Sequence, residues 1–155
     1  MHAIAIHGGA GAIPSVALDK DADSPYRASL AAALDAGYET LDGGGSSLDA
    51  VTLAVRLLED DPLFNAGKGA ALTRDGWAEL DAAVMDGRMQ RAGAVASVRH
   101  VRNPIELARR VMEKSRHVLL VADGAEEFAL EEGLALVPNT YFRTDERKSQ
   151  LESER

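Results

Sequence analysis

Glu79-Leu80-Asp81-Ala82-Ala83-Val84-Met85-Asp86-Gly87 lies inside a stretch, residues 69–98, made of extended segments broken by turns. Thr73-Arg74-Asp75-Gly76 and Asp86-Gly87 are hairpin-type signals, so the strands here are predicted to run antiparallel. Upstream the pattern changes to helical spacing. Ser24-Pro25 supplies a hydroxyl cap and a proline at the first helical position. Leu30, Leu34, Tyr38 and Leu41 then share one face, and Gly43-Gly44-Gly45 closes the helix. Ser46 or Ser47 caps a second helix with an apolar stripe of Leu48, Val51, Val55 and Leu58, stopped by Asp60-Asp61-Pro62. Downstream, Asn103-Pro104-Ile105-Glu106 resembles a capping box and opens a third helix to about Lys114. His117-Val118-Leu119-Leu120-Val121 reads as a buried strand, and residues 123–133 as a fourth helix. With an apolar opening strand at Met1-His2-Ala3-Ile4-Ala5-Ile6, the order is strand, helix, helix, strands, helix, strand, helix. A doubly wound sheet would alternate regularly, so a layered α+β domain is predicted instead.

Residues 14–24 are polar and read as a loop. The last thirteen residues, 143–155, contain eight charged residues and one leucine, and read as a solvated helix end or mobile tail. The boundary of the domain is therefore placed at 142.

Composition narrows the function classes. The 155 residues are 46% hydrophobic and 27% charged, ordinary values for a globular domain. Seventeen Lys and Arg against twenty-five Asp and Glu leave a net charge of −8, which argues against nucleic acid and anionic membrane surfaces. No stretch approaches a membrane span, and the N-terminus lacks the basic region and long apolar run of a signal peptide. The absence of cysteine excludes disulfides, thiolate metal sites and a cysteine nucleophile. These features predict a soluble, cytoplasmic, acidic domain.

Few residues suggest chemistry on their own. His7-Gly8-Gly9-Ala10-Gly11 directly follows the opening strand, and such a turn leaves bare amides suited to an anionic or carboxylate-bearing ligand. It is similar to the oxyanion-hole loop of α/β-hydrolases, but the Gly-x-Ser-x-Gly elbow of that fold is missing. Helix capping explains Ser46 and Ser47 better than catalysis. His2 and His7, an odd number of positions apart, would face opposite sides of a strand, which disfavours a histidine metal site. Glu79 and Asp81 would share a strand face as paired carboxylates might, although a polar face alternating with Leu80 and Ala82 is the simpler account. The loop over residues 57–69 leaves a helix through carbonyls that hard cations favour, or forms only a tight helix-to-strand connection. No nucleophile with a matching base is evident.

In combination these segments carry a resemblance. Ile6-His7-Gly8-Gly9-Ala10-Gly11, Leu63-Phe64-Asn65-Ala66-Gly67-Lys68-Gly69, Glu79-Leu80-Asp81-Ala82, Val84-Met85-Asp86-Gly87, Ala92-Gly93-Ala94-Val95-Ala96, Arg102-Asn103-Pro104-Ile105, Ser115-Arg116-His117-Val118-Leu119-Leu120 and Gly124-Ala125-Glu126 occur in order. Together the chain resembles the N-terminal half of the isoaspartyl peptidase/plant-type L-asparaginase family of N-terminal-nucleophile hydrolases. The resemblance implies half of an αββα four-layer sandwich, completed by a second chain cut from the same precursor. That β subunit would begin with a threonine whose hydroxyl is the nucleophile and whose free amine is the base. Residues 1–142 would then be the α-subunit domain, and 143–155 a linker before the cleavage site. Thr140 and Thr144 lack the strand that follows such a threonine and are rejected as nucleophiles.

The implied activity is hydrolysis of L-asparagine and β-aspartyl dipeptides, and the implied assembly is an (αβ)2 heterotetramer. Asn65 matches the family asparagine near the nucleophile, while His7, Gly8 and Gly9 match the signature turn beside the active site. A structural sodium or potassium ion maps onto main-chain carbonyls of Leu58, Glu59, Asp61, Phe64, Ala66 and Lys68, with the Lys68 ammonium a nearby opposing charge. No organic cofactor is implied. Two alternatives remain open: an aspartylglucosaminidase-like amidase subunit, and a stand-alone α+β module that binds a small anion.

Overall fold

The computed structural model describes residues 2–9 and 25–154. The Ser24 cap, the polar loop 14–24, and Ala10 and Gly11 of the glycine turn lie outside the described residues. Two helices come first, α1 (Pro25–Asp42) and α2 (Ser47–Asp60). The glycine triplet closes α1 as expected, with Gly45 N–H donating to the Thr40 carbonyl at 2.8 Å and Gly44 N–H to Leu41 at 3.1 Å. Ser46 is the cap of α2. Its hydroxyl accepts from Asp49 N–H, and the Asp49 carboxylate accepts from Ser46 N–H, a reciprocal capping box.

The extended region folds as read. An isolated bridge pairs Leu72 with Ala78 around the Thr73–Gly76 turn, where Gly76 N–H donates to the Thr73 carbonyl. Strand β1 (Leu80–Asp86) then pairs antiparallel with β2 (Arg91–Val98). Between Leu80↔Val98 and Ala82↔Val95 the second strand carries one extra residue, a bulge at which Ser97 takes a positive φ of 54°. Asp81 stabilises that bulge by accepting the Ser97 N–H at 2.8 Å. Glu79 lies before β1 and pairs with Arg99. The two carboxylates are therefore engaged separately and do not form an acid–base pair.

Helix α3 (Pro104–Lys114) covers β1 and β2, and the short β3 (Leu119–Val121) pairs parallel with β2, giving the order β1-β2-β3. Helix α4 (Ala122–Glu131), a 3₁₀ turn (Asn139–Phe142) and helix α5 (Asp145–Ser153) complete the chain. The result is α+β, with helices packed on a small mixed sheet. Among the described residues, no helix is long and apolar enough to cross a membrane.

Among the described residues two apolar clusters organise the interior. The larger joins the sheet to α3 and α4 through Val84, Val95, Val98, Leu107 and Val111, with Phe142 sealed beneath the 3₁₀ turn. At Gly93 a Cβ would overlap the Ala108 carbonyl, so only glycine lets α3 sit this close to β2. The smaller cluster gathers Ala33, Leu58 and Phe64 with Ile6, Tyr26 and Leu30. Helix α2 serves both clusters, and salt bridges from Arg109 to Asp49 and from Arg56 to Glu106 tie it to α3.

Four expectations change. Residues 2–9 form no strand: extended backbone becomes a strand only when a neighbour pairs with it, and none among the described residues does. Instead Ile4 seats its side chain against Gly37 of α1, and residues 4–7 border a cavity of about 220 Å³ with Val51, Ala54 and Leu58 of α2. Tyr38 (48% exposed) and Val51 (39%) fall outside the buried faces, which Ala33 and Gly37 of α1 and Ala50 and Ala54 of α2 occupy. The predicted buried strand at 117–121 shortens to Leu119–Val121. Its side chains are mostly exposed, with Val118, Leu119 and Val121 at 62, 51 and 49%, because nothing described covers them. Finally, Asn103 makes no side-chain cap to α3. A carboxylate from α2 takes that place.

Glu126 joins α4 to the end of β2. Its Oε1 accepts the backbone N–H groups of Arg99 and His100, and its Oε2 lies 2.8 Å from His100 Nδ1. Burial alone would raise this carboxyl, but those donors hold it below the usual carboxylate value of 4.5. A depressed folded pKa contributes stability that is present above the unfolded value and lost as pH falls through the folded one. As pH falls from 5 to 3 the protein is expected to lose more stability than a Glu126→Gln variant, which has no carboxyl to titrate there. Urea denaturation across that range checks it, and parallel pH profiles would refute the assignment.

Candidate active site

The helix-to-strand connection after α2 is wound tightly around its own carbonyls. Lys68 N–H donates to the Glu59 carbonyl at 2.7 Å, Phe64 N–H to Asp61 at 3.4 Å, and Ala70 N–H to Gly67 at 3.1 Å. Leu63 N–H also bonds the Asp61 carboxylate, at 2.9 Å. Gly67 is buried with φ of 46°, and a Cβ there would overlap the Glu59 carbonyl. At Gly69 the carbonyl oxygens of Pro62 and Phe64 crowd the same space a side chain would need. Gly69 N–H in turn bonds the Phe142 carbonyl, fastening the loop to the 3₁₀ turn.

This winding fixes Asn65 at the rim of a groove of about 1050 Å³. One wall is His7, Gly8 and Gly9 with Phe64, Asn65 and Ala66; the other is α5. The turn is braced from below, because Gly8 lies against Leu30 and Phe64 so closely that a Cβ would come within 2.9 and 3.1 Å of them. Gly9 N–H donates to His7 Nδ1 at 3.1 Å, which occupies one of the amides an anion would need. Asn65 is exposed, and its Oδ1 accepts Ala71 N–H at 2.7 Å. Among the described residues its Nδ2 has no partner, leaving one oriented donor facing the groove. The Ser153 hydroxyl donates to the Gln150 carbonyl and His7 Nδ1 accepts Gly9 N–H, and among the described residues no serine–histidine hydrogen bond lines the groove.

The predicted ion positions, Leu58, Glu59, Asp61, Phe64, Ala66 and Lys68, all sit on this turn or the helix end feeding it. Among the described residues no three His, Cys, Asp or Glu side chains cluster as a metal site. A cation here would depend on main-chain oxygens, which hard alkali ions accept, and each carbonyl keeps a second lone pair. The Lys68 ammonium lies 5.9 Å from the centre of the Tyr141 ring, where the ring face engages its charge.

Glu59 has a second role that the sequence reading missed. Only 3% exposed, it reaches from α2 to α3, where Oε1 accepts Ile105 N–H at 2.9 Å. It caps the helix that Asn103 leaves uncapped, while Asn103 itself donates to Asp60. Burial pushes the Glu59 carboxyl up to about 8 against the opposing Ile105 bond, so it is protonated near neutrality. Oε2 is buried and has no hydrogen-bond partner among the described residues. Only the buried position in an otherwise acidic helix end, Glu59-Asp60-Asp61, hinted at this role. Residues 143–155, read as a solvated helix end or mobile tail, form in part helix α5, which carries no buried residue and contributes Glu146, Arg147, Ser149, Gln150 and Ser153 to the groove.

Glu59→Ala is expected to lower stability by about 2–3 kcal/mol, combining a lost cap with a buried void. Glu59→Gln, which keeps a neutral acceptor for Ile105 N–H, should lose under about 1 kcal/mol. Chemical denaturation of both variants checks the pair, and equal losses would contradict the capping role.

Comparison with known proteins places these features in context. A family model described as asparaginase matches residues 1–155. The chain is 53% identical over 148 residues to an isoaspartyl peptidase of Salmonella typhimurium, covering 96% of this chain and 47% of that protein. It is 51% identical over 148 residues to the isoaspartyl peptidase of Escherichia coli, with 96% and 46% covered. An isoaspartyl peptidase/L-asparaginase of Xenopus laevis is 46% identical over 142 residues, with 92% and 44% covered. The chain spans about half the length of the curated relatives it matches.

Proposed function

The chain belongs to the asparaginase family, and from that premise we propose that it is the α subunit of an isoaspartyl peptidase/L-asparaginase. The observation that carries this reading is a groove bearing a fixed amide donor, Asn65, and, among the described residues, no nucleophile–base pair. The missing group is assigned to a β subunit from the same precursor, beginning with a threonine released by autoproteolysis. Its hydroxyl attacks the side-chain acyl carbon of L-asparagine or a β-aspartyl dipeptide, its free amine takes the hydroxyl proton and passes it to the departing amine, and water hydrolyses the ester. Asn65, its carboxamide oxygen held by Ala71, offers Nδ2 to the reacting centre, and the His7–Gly9 turn shapes the backbone around it.

The uncovered β3 and segment 2–9, which pairs with no strand among the described residues, support completion of the sheet by that second chain into a four-layer αββα sandwich. We assign the (αβ)2 heterotetramer as the working assembly. A sodium or potassium ion held by carbonyls of the 58–68 turn would supply fixed positive charge that stiffens the loop carrying Asn65. A chain without cysteine suits the cytoplasm. The engaged Gly9 amide disfavours an anion-binding module.

Intact-mass spectrometry and N-terminal sequencing of the native enzyme are expected to find a second chain starting with threonine. Release of aspartate from L-asparagine and from β-aspartyl dipeptides, but not from a glycoasparagine, completes the test. A lone, folded, inactive chain would overturn the reading, and glycoasparagine hydrolysis would move it to the amidase alternative. Asn65→Ala should reduce kcat/KM by roughly 10–1000-fold, as for other oriented amide donors.

A further inference from the structure

The Asn65 carboxamide takes its orientation from Ala71 N–H, which donates to Oδ1 at 2.7 Å. Where that N–H points is decided by the backbone just before it. Gly69 is buried at a φ of 102°, hemmed in by the Pro62 and Phe64 carbonyls, and its N–H donates to the Phe142 carbonyl at 2.8 Å. Ala70 N–H donates to the Gly67 carbonyl at 3.1 Å. The Gly69 carbonyl accepts from Arg147 Nε at 2.6 Å, across 78 positions of sequence. Because the peptide is planar, holding this oxygen fixes the plane of the Gly69–Ala70 unit that leads into Ala71.

Arg147 is itself braced for this contact. Thr144 Oγ1 accepts its backbone N–H at 3.2 Å, and Gln150 Oε1 accepts from its Nη1 at 2.8 Å. Among the described residues its guanidinium makes no ion pair, so the Gly69 and Gln150 oxygens are the acceptors it serves. A bond from a charged donor is stronger than one between neutral groups. Helix α5 buries no residue of its own, so this guanidinium bears on the loop that carries Asn65 rather than on the apolar core. The Phe142 contact on the other side of Gly69 is main chain to main chain, which leaves Arg147 as the side chain that grips this glycine.

Resting on the function proposed above, we propose that Arg147 is a positioning residue for the hydrolysis. By holding the Gly69–Ala70 peptide it keeps Ala71 N–H where it orients the Asn65 carboxamide, and it acts on the reaction only through Asn65.

The test is a double-mutant cycle on the matured two-chain enzyme with L-asparagine as substrate. Arg147→Met is expected to lower kcat by about ten- to hundredfold, the scale of a small misplacement of an oriented group, with KM changed by under about threefold. In an Asn65→Ala background the same change should cost under about twofold, because its effect has already been removed. Lys148→Ala, which breaks a surface pair with Asp145 on the same helix, should leave kcat within about twofold of wild type. Should Arg147→Met not mature, Gln150→Ala takes its place in the cycle: it frees the guanidinium, and a loss of about threefold that vanishes beside Asn65→Ala is expected. An unchanged kcat, a loss confined to KM, or equal losses with and without Asn65 overturn the positioning role while the activity itself stands. A wild-type enzyme that does not hydrolyse L-asparagine overturns the underlying function and this inference with it.

Discussion

The Glu59 carboxyl, buried at the end of α2, bonds the first amide of α3 while the carbonyl of the same residue receives Lys68 N–H. One residue thus joins the helix pair, the helix covering the sheet and the loop that carries Asn65. Gly67 must be glycine because that loop passes over the Glu59 backbone with no room for a side chain. Burial keeps the carboxyl protonated, so the junction avoids an unpaired buried charge, which would be costly. Displacing Glu59 would shift α3 on β1 and β2 and the rim of the groove together.

From that junction the groove is assembled by elements distant in sequence. The His7–Gly9 turn rests on Leu30 and Phe64, Asn65 is held by Ala71, and Gly69 is held from both sides, its N–H by Phe142 and its carbonyl by Arg147. Each contact is modest, but all constrain the same few backbone atoms. The Asn65 amide nitrogen, which has no partner among the described residues, is held in a fixed orientation by this frame.

The remaining surface is unevenly finished. Strand β2 is covered by α3 and flanked by β1 and β3, whereas Val118 just before β3 and Leu119 and Val121 within it are exposed, and residues 2–9 pair with no strand among the described residues. Apolar strand residues left open on one side of a well-packed sheet are a feature of interfaces. They fit a chain spanning about half the length of its relatives.

Local signals in the sequence determined much of the architecture. The glycine triplet ended α1, Ser46 and Asp49 set the start of α2, and the turns at Thr73–Gly76 and Asp86-Gly87 set an antiparallel pair, because these depend on backbone dihedrals and bonds a few residues apart. The ordered motifs located Asn65 and the glycine turn by resemblance. Long-range packing decided the rest. Whether Met1–Ile6 or His117–Val121 becomes a buried strand depends on a neighbour that no local pattern encodes. The cap of α3 came from Glu59 rather than Asn103 because α2 brings a carboxyl there from 46 residues away. The charged segment after 142 reads as a solvated helix end or tail by composition, and only the fold brings Arg147 to a carbonyl 78 positions upstream, at the edge of the groove. Such contacts exist only once the chain has folded, since their geometry is set by the elements between them.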